Sequence, residues 1–122
     1  MPDQDDNDRV WDIVAKVGVG MLTTRFAGGL RARPVEQRPD RDQGVIRIIT
    51  DVRDLKDGEV KNEPDVGLVV ISPSDKAYLS VTARAVVTRD SETAAKIWRR
   101  TDDVWWPDGP DDPNVRVIVL TP

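Results

Sequence analysis

The sequence predicts a mainly β protein, an antiparallel β-barrel with flanking helices. Six short segments have the apolar runs or the apolar–polar alternation of strands, and turn residues separate them. The most informative turn is Gly28-Gly29, which reverses an apolar segment into an alternating one as a tight hairpin. Short strands joined by hairpins, with few helices between them, favour an antiparallel barrel over a parallel sheet.

Composition narrows the class of protein. A chain of 122 residues makes one domain with a single core. It has no cysteine, which excludes disulfides and thiol nucleophiles, and no histidine, the usual catalytic base and commonest transition-metal ligand. The net charge of −4 argues against a general nucleic-acid binder. No run approaches about 18 apolar residues. The start, MPDQDDND, is unlike a signal peptide, so we expect a cytoplasmic protein without a membrane span.

The amino-terminal segment predicts a disordered acidic tail over residues 1–7, followed by a single domain over residues 8–122. Asn7 or Asp8 is placed to cap a helix whose apolar residues recur at i, i+3, i+4 and i+7. Gly18 ends this helix. The apolar residues that share one face are Val10, Ile13, Val14 and Val17.

Six strands are predicted after this helix. The second alternates through Leu30 and Ala32 towards Pro34 or Val35. The fifth is the longest, and it alternates regularly from Leu79 onwards. The predicted strands lie at about 19–24, 30–38, 45–49, 66–72, 77–88 and 115–120.

Two further helices are predicted between the strands. The helix over 52–62 is weak because Gly58 costs about 1 kcal/mol relative to alanine inside a helix. The helix over 91–100 is stronger, since Asp90 caps it and basic residues lie at the negative end of its dipole. The segment 107–113, rich in proline and aspartate, predicts a stiff loop.

Three basic residues are candidates for binding an anion. Arg31 and Arg33 alternate along one strand, so their side chains face the same side and are spaced to meet an anionic ligand. The alternative is the solvated face of an edge strand, which Pro34 also fits. Lys56 lies at the start of a short helix, where free amides and the helix dipole favour phosphate. An ordinary surface lysine is the alternative there.

Trp105 and Trp106 precede the stiff loop, and this pair either walls a flat aromatic ligand or plugs one end of the barrel. No arrangement of hydroxyls, lysines or carboxylates has the spacing of a catalytic triad, so no catalytic residue is assigned. No loop of oxygen ligands has a metal-binding spacing, so no metal site is predicted. If the protein carries out redox or group-transfer chemistry, we expect a bound cofactor to supply it.

The motifs follow one another in a specific order. They are MLTT (21–24), GLRARPV (29–35), ITD (49–51) with Lys56, NEPDVGL (62–68), YLSVTARA (78–85), WWP (105–107) and the last strand with Pro122. With them, the chain resembles the FMN-binding split-barrel superfamily, specifically the general stress protein branch of the pyridoxamine 5′-phosphate oxidase-like proteins. The resemblance covers nearly everything after residue 10.

The resemblance implies a homodimer of six-stranded antiparallel Greek-key split barrels, with two FMN sites at the subunit interface. It implies a flavoprotein that acts as an FMN-dependent oxidoreductase on an unknown small molecule. Arg33 and Lys56 match the residues that face the FMN phosphate, and Ile49 and Thr50 match the strand end that meets the flavin. The implied cofactor-binding residues are Arg33, Pro34, Val35, Ile49, Thr50, Asp51, Lys56, Trp105 and Trp106.

Two alternatives stay open beside the FMN oxidoreductase. The first is a flavin or deazaflavin F420 binding module without turnover, in which Arg31, Arg38 and Arg41 would meet the longer anionic tail of F420. The second is a degenerate barrel that serves only as a dimeric interaction domain. Asp54 favours this alternative, because many relatives carry a serine there that hydrogen-bonds the phosphate, whereas a carboxylate repels a dianion.

Overall fold

The computed structural model describes residues 4–122, apart from the side chains of residues 4, 5 and 55–57. A seven-stranded antiparallel sheet curls into a half-barrel with helices on its flanks, so the predicted fold class is confirmed. The strands are β1 (Val19–Phe26), β2 (Gly29–Glu36), β3 (Arg38–Asp40), β4 (Val45–Asp51), β5 (Asp65–Ser72), β6 (Ala77–Thr88) and β7 (Val115–Thr121). The helices are α1 (Gln4–Val17), α2 (Leu55–Asn62) and α3 (Ser91–Ile97).

The sheet has the strand order β2-β1-β5-β6-β7-β4-β3, and every neighbouring pair is antiparallel. Its two outermost strands, β2 and β3, are consecutive in sequence, and only Gln37 lies between them. One continuous stretch of chain therefore supplies both ends of the sheet and crosses from one end to the other.

The predicted strand over 30–38 is in fact two strands, and this is why the sheet has seven strands and not six. The division falls at Gln37 because the two halves pair with different partners, β2 with β1 and β3 with β4. Gln37 is fully buried, and its Nε2 donates a 3.2 Å hydrogen bond to the carbonyl oxygen of Val14. The bend between β2 and β3 is thereby tied to α1.

The first helix is longer than predicted. It begins at Gln4, before the expected cap at Asn7 or Asp8, so residues 4–7 are helical although we expected them in the acidic tail. The first three residues of that tail lie outside the described part of the chain. The helix ends before Gly18 as predicted, because the φ of +76° at this position favours glycine.

The other helices are shorter than predicted. α2 begins at Leu55 rather than residue 52, and α3 ends at Ile97 rather than residue 100 because Trp98 has an extended backbone. The predicted cap of α3 is confirmed, since Oδ1 of Asp90 accepts a 3.0 Å hydrogen bond from the amide of Thr93. A 3₁₀ turn, Arg100–Val104, follows α3, and a second, Gly109–Asp111, lies in the predicted stiff loop. Within residues 4–122, no helix is long and apolar enough to cross a bilayer.

Two apolar clusters hold these elements together. The larger fills the half-barrel, and α1 contributes Ile13 and Val14 to it. The smaller lies between α3 and the sheet, where Val115 and Val117 of β7 pack with Trp106. The rings of Trp98 and Trp106 lie 5.8 Å apart, at an interplanar angle of 57°. The smaller cluster fixes the segment after α3 against β4 and β7, and this arrangement forms one wall of the candidate site.

Candidate functional site

A cleft of about 520 Å³ opens where three separate segments meet. The segments are the bend from β2 to β3, the end of β4 with the turn that follows it, and the 3₁₀ turn after α3. Antiparallel pairing of β3 with β4 brings the first two together. The cleft is lined by Pro34, Val35, Glu36, Arg38, Ile48, Ile49, Thr50, Asp51, Arg53, Asp54, Thr101, Asp102, Trp105 and Trp106.

Seven of the nine predicted cofactor-binding residues line this cleft. These residues come from all three of its segments, so folding joins positions that are distant in the sequence. That they bind a cofactor stays a prediction. The seven are Pro34, Val35, Ile49, Thr50, Asp51, Trp105 and Trp106.

Thr50 lines the cleft and carries a buried hydroxyl that is unsatisfied among the described residues. It continues the inward-facing row of β4 formed by Ile46 and Ile48, and only 2% of it is exposed. Its Oγ1 has no hydrogen-bond partner among the residues that the structure describes. Because a buried hydroxyl without a partner is costly, a polar ligand group in the cleft would stabilise it. This hydroxyl, beside the apolar Val35 and Ile49, fits the polar edge of a flavin ring.

The two tryptophans contribute to the cleft in different ways. Trp105 is 74% exposed, so its indole is available as an aromatic wall. Trp106 is buried, and its Nε1 donates a 3.0 Å hydrogen bond to Oδ2 of Asp51. The sequence left open whether this pair walls a ligand or plugs the barrel. In the structure Trp106 packs in the smaller apolar cluster and Trp105 faces the opening.

Asp51 organises the end of β4. Its carboxylate accepts hydrogen bonds from the side chain of Arg53, 2.8 Å from Nε and 2.6 Å from Nη2, and another from Trp106. The hydrogen bonds from Arg53, with a smaller contribution from Trp106, hold the pKa of Asp51 well below its usual range. Asp51 is therefore ionised at neutral pH, and its charge is balanced by Arg53.

A buried ion pair supports the opposite wall. Nη2 of Arg38 donates a 2.8 Å hydrogen bond to Oδ1 of Asp102, while Nη1 donates to the carbonyl oxygen of Ile97 at 3.3 Å. The second carboxylate oxygen of Asp102 accepts a hydrogen bond from the amide of Arg99. No sequence pattern indicated Asp102. Arg38, at the end of a predicted strand and just before Pro39, was the available signal for a buried partner.

Arg33 is not among the described residues that line the cleft. Its Nη1 and Nη2 each donate a 3.2 Å hydrogen bond to the carboxylate of Glu59 in α2. The hydroxyl of Thr24 donates to the same carboxylate at 2.6 Å, and Nη1 of Arg31 lies 3.5 Å from it. The predicted contact of Arg33 with a phosphate stays a prediction, because in this structure the guanidinium is paired with Glu59.

Lys56, the other predicted phosphate residue, lies in the first turn of α2, but its side chain is outside the described part of the structure. The two arginines that line the cleft, Arg38 and Arg53, are both paired with aspartates. Asp54, which the sequence singled out as unfavourable to a phosphate, also lines the cleft. The described lining therefore suits the ring of a ligand better than an anionic tail.

Comparison with known proteins gives similar chains along the whole length. The chain is 28% identical to General stress protein 26 of Bacillus subtilis (strain 168) over 125 residues, which covers 100% of this chain and 87% of that protein. A crystal structure of General Stress Protein 26 from Bacillus anthracis str. Sterne has a TM-score of 0.86 and 22% identity, covering 98% of this chain and 90% of that one. This similarity confirms the fold.

A second similar structure is the general stress FMN/FAD binding protein from Xanthomonas citri. It has a TM-score of 0.84 and 19% identity, and the match covers 98% of this chain and 84% of that one. A family model described as "Pyridoxamine 5'-phosphate oxidase like" matches residues 5–122. The resemblance inferred from the sequence motifs is therefore confirmed, and the chain belongs to the pyridoxamine 5′-phosphate oxidase-like family.

Proposed function

We propose that this protein is a cytoplasmic, homodimeric flavoprotein of the general stress type that binds FMN in the cleft and acts as an FMN-dependent oxidoreductase on a small molecule. The main support is Thr50, a residue that lines the cleft and whose buried hydroxyl lacks a partner among the described residues. A flavin supplies redox chemistry from its own ring when it is bound, so the protein needs no histidine or cysteine for that step.

The residues proposed to hold the ring belong to the three walls of the cleft. The backbone of Pro34 and Val35 and the hydroxyl of Thr50 offer polar groups, and Ile49 offers an apolar surface. Trp105 adds an exposed indole suited to stacking. Arg33 and Lys56 are proposed to meet the phosphate, which requires Arg33 to exchange Glu59 for the ligand.

The test is an FMN titration, followed by flavin fluorescence and by the melting temperature of the protein. Thr50→Val should bind FMN about tenfold more weakly, because one hydrogen bond between the protein and the ring is lost. Thr88→Val is the matched control, since its hydroxyl already donates to the carbonyl oxygen of Val117. Absence of any melting shift at FMN concentrations far above micromolar would overturn the proposed function.

The proposed homodimer is supported by an apolar patch on the outer face of the sheet, made of Val19, Met21, Val69, Ile71 and Tyr78. Strand pairing joins these residues, since Met21 is paired with Val69 and Ile71 with Tyr78. All five are exposed, between 37% and 75%. Contiguous exposed apolar residues are the kind of surface that protein–protein contacts bury, so the patch supports the proposed dimer.

Sedimentation velocity tests the dimer. We expect Val69→Lys to shift the protein from dimer to monomer, because it places a charge in the centre of the patch. Leu30→Lys is the control, since Leu30 is 69% exposed but lies at the hairpin end of β2. A monomeric wild-type protein, or equal behaviour of the two variants, would contradict this interface.

A second candidate function is an interaction domain that binds no flavin. The pairing of Arg33 with Glu59 favours it, because this arginine is then already neutralised within the chain. The F420 alternative has less support, since two arginines expected at its tail are ion-paired, Arg38 with Asp102 and Arg41 with Asp8. Parallel titrations with FMN and F420, repeated on a protein with both Arg33→Ala and Lys56→Ala, separate the three functions. An interaction domain gives no response to either cofactor.

A further inference from the structure

Glu59 is surrounded by hydrogen-bond donors and positive charge. Its carboxylate accepts a bidentate pair of 3.2 Å bonds from Arg33 and a 2.6 Å bond from the hydroxyl of Thr24. Arg31 adds a second guanidinium at 3.5 Å. Only 10% of the Glu59 side chain and 19% of the Arg33 side chain are exposed, so solvent screens this pair weakly.

This arrangement is the one that a phosphate group also requires. Guanidinium groups and a hydroxyl donor are the usual protein partners of a phosphate, and here a carboxylate of the same chain already occupies them. Both terminal nitrogens of Arg33 donate to Glu59. A ligand phosphate that binds Arg33 must therefore displace Glu59 or lie beside a second negative charge.

Arg33 of this pair adjoins the proposed flavin site in sequence. Arg33 directly precedes Pro34 and Val35, which line the cleft. Glu59 lies in α2, the helix that also carries Lys56 three positions earlier. A carboxylate paired with Arg33 acts against one of the two cations that the proposed function assigns to the phosphate.

We propose that Glu59 is a specificity-determining residue: it occupies the donors of Arg33 and Thr24 and so opposes the phosphate of a flavin ligand. The inference rests on the proposed flavin site. It implies that the wild-type protein gains little affinity from the phosphate of FMN. Riboflavin, which has the same ring system but no phosphate, should therefore bind nearly as tightly as FMN.

The experiment measures the dissociation constants of FMN and riboflavin for the wild type and for Glu59→Gln, by quenching of flavin fluorescence. We expect Glu59→Gln to bind FMN about tenfold more tightly, because the loss of one charge-assisted partner frees Arg33. Affinity for riboflavin should stay unchanged. Glu63→Gln removes the same charge from an exposed position four residues later, and both of its affinities should match those of the wild type.

The ratio of the two dissociation constants decides the outcome. An unchanged ratio in Glu59→Gln, or weaker FMN binding, overturns the inference and leaves the proposed flavin site standing if the wild type binds both flavins. Equal tightening of FMN and riboflavin overturns it too, because the effect is then not directed at the phosphate. If neither protein binds either flavin, the inference and the proposed function both fail. If the glutamine variant is unstable, Glu59→Met replaces it in the experiment. This substitution also removes the charge, so the same ratio is expected.

Discussion

The guanidinium of Arg38 and the carboxylate of Asp102 form a 2.8 Å ion pair in which the two side chains are only 6% and 7% exposed. The pair joins β3, at the end of the sheet, to the 3₁₀ turn that follows α3. Both residues line the cleft. The shape of the candidate site therefore depends on a buried electrostatic contact between segments 64 residues apart.

Breaking this pair should destabilise the protein strongly. Asp102→Asn removes the buried counter-ion of Arg38 and leaves it only the half-exposed Glu36 at 3.3 Å, so we expect the free energy of unfolding to fall by about 3 kcal/mol. Urea denaturation measures the change. Lys16→Met, which breaks an exposed ion pair with Asp75, should leave the urea midpoint nearly unchanged. Equal midpoints for the two variants would contradict the role of the buried pair.

Trp105 should contribute to ligand binding and not to folding. Because its side chain is 74% exposed in the cleft, Trp105→Ala should keep the wild-type melting temperature and weaken FMN binding about tenfold through loss of stacking. Val104→Ala is the control at the neighbouring position, where the side chain is 77% exposed and lies outside the described lining. If both variants keep the wild-type affinity, Trp105 is not a wall of the flavin site.

Stability in acid should depend on Glu59. The hydrogen bond from Thr24, followed by those from Arg33, holds the pKa of Glu59 below its ordinary value of 4.5. A carboxyl group with a lowered folded-state pKa stabilises the protein above its unfolded pKa, and this stability is lost as the pH falls through the folded value. We therefore expect the free energy of unfolding to decrease as the pH falls below about 4.5, and to decrease less in Glu59→Gln.

Urea midpoints measured at several pH values between neutral and strongly acidic conditions test this dependence. Glu63→Gln should follow the wild type at every pH, because its side chain is exposed just after α2. Parallel curves for the wild type and Glu59→Gln would show that Glu59 contributes no proton-linked stability.

Gly58 offers a stabilising substitution. It lies inside α2 without the left-handed backbone that favours glycine, and a Cβ built there meets no described atom within 4 Å. Gly58→Ala should therefore raise the free energy of unfolding by about 1 kcal/mol. Gly18→Ala is the contrasting control, because its φ of +76° should make the same change destabilising. Thermal unfolding of both variants measures the difference in sign.

The sequence predicted best the features that depend on neighbouring residues. The hairpin predicted at Gly28-Gly29 forms one residue earlier, with Ala27 and Gly28 as its turn and Phe26 paired with Gly29, and Asp90 caps α3, because turns and caps are set over a few positions. The predicted strand over 30–38 failed at Gln37, because the bend there is imposed by β1 and β4. These partners are distant in sequence, and alternation within one segment carries no information about them.

In the candidate site, too, some residues could be predicted from the sequence and others could not. Seven of its residues could be predicted because the order of the motifs indicated the family and hence the fold that brings them together. The acidic partners of the arginines were missed. Glu59 lies 26 residues from Arg33, and Asp102 lies 64 residues from Arg38. In a chain with 22 acidic residues, no local pattern distinguishes the carboxylate that folding will bring to a given guanidinium.

Because β2 and β3 are the terminal strands of the sheet, residues 29–40 supply both of its edges, where a strand of another molecule could pair. Each of these strands contains a proline, Pro34 in β2 and Pro39 in β3. A proline has no amide hydrogen to donate to an incoming strand, so it interrupts the row of hydrogen-bond donors along an edge strand. One short stretch of sequence thus disfavours the addition of another strand at both edges of the sheet.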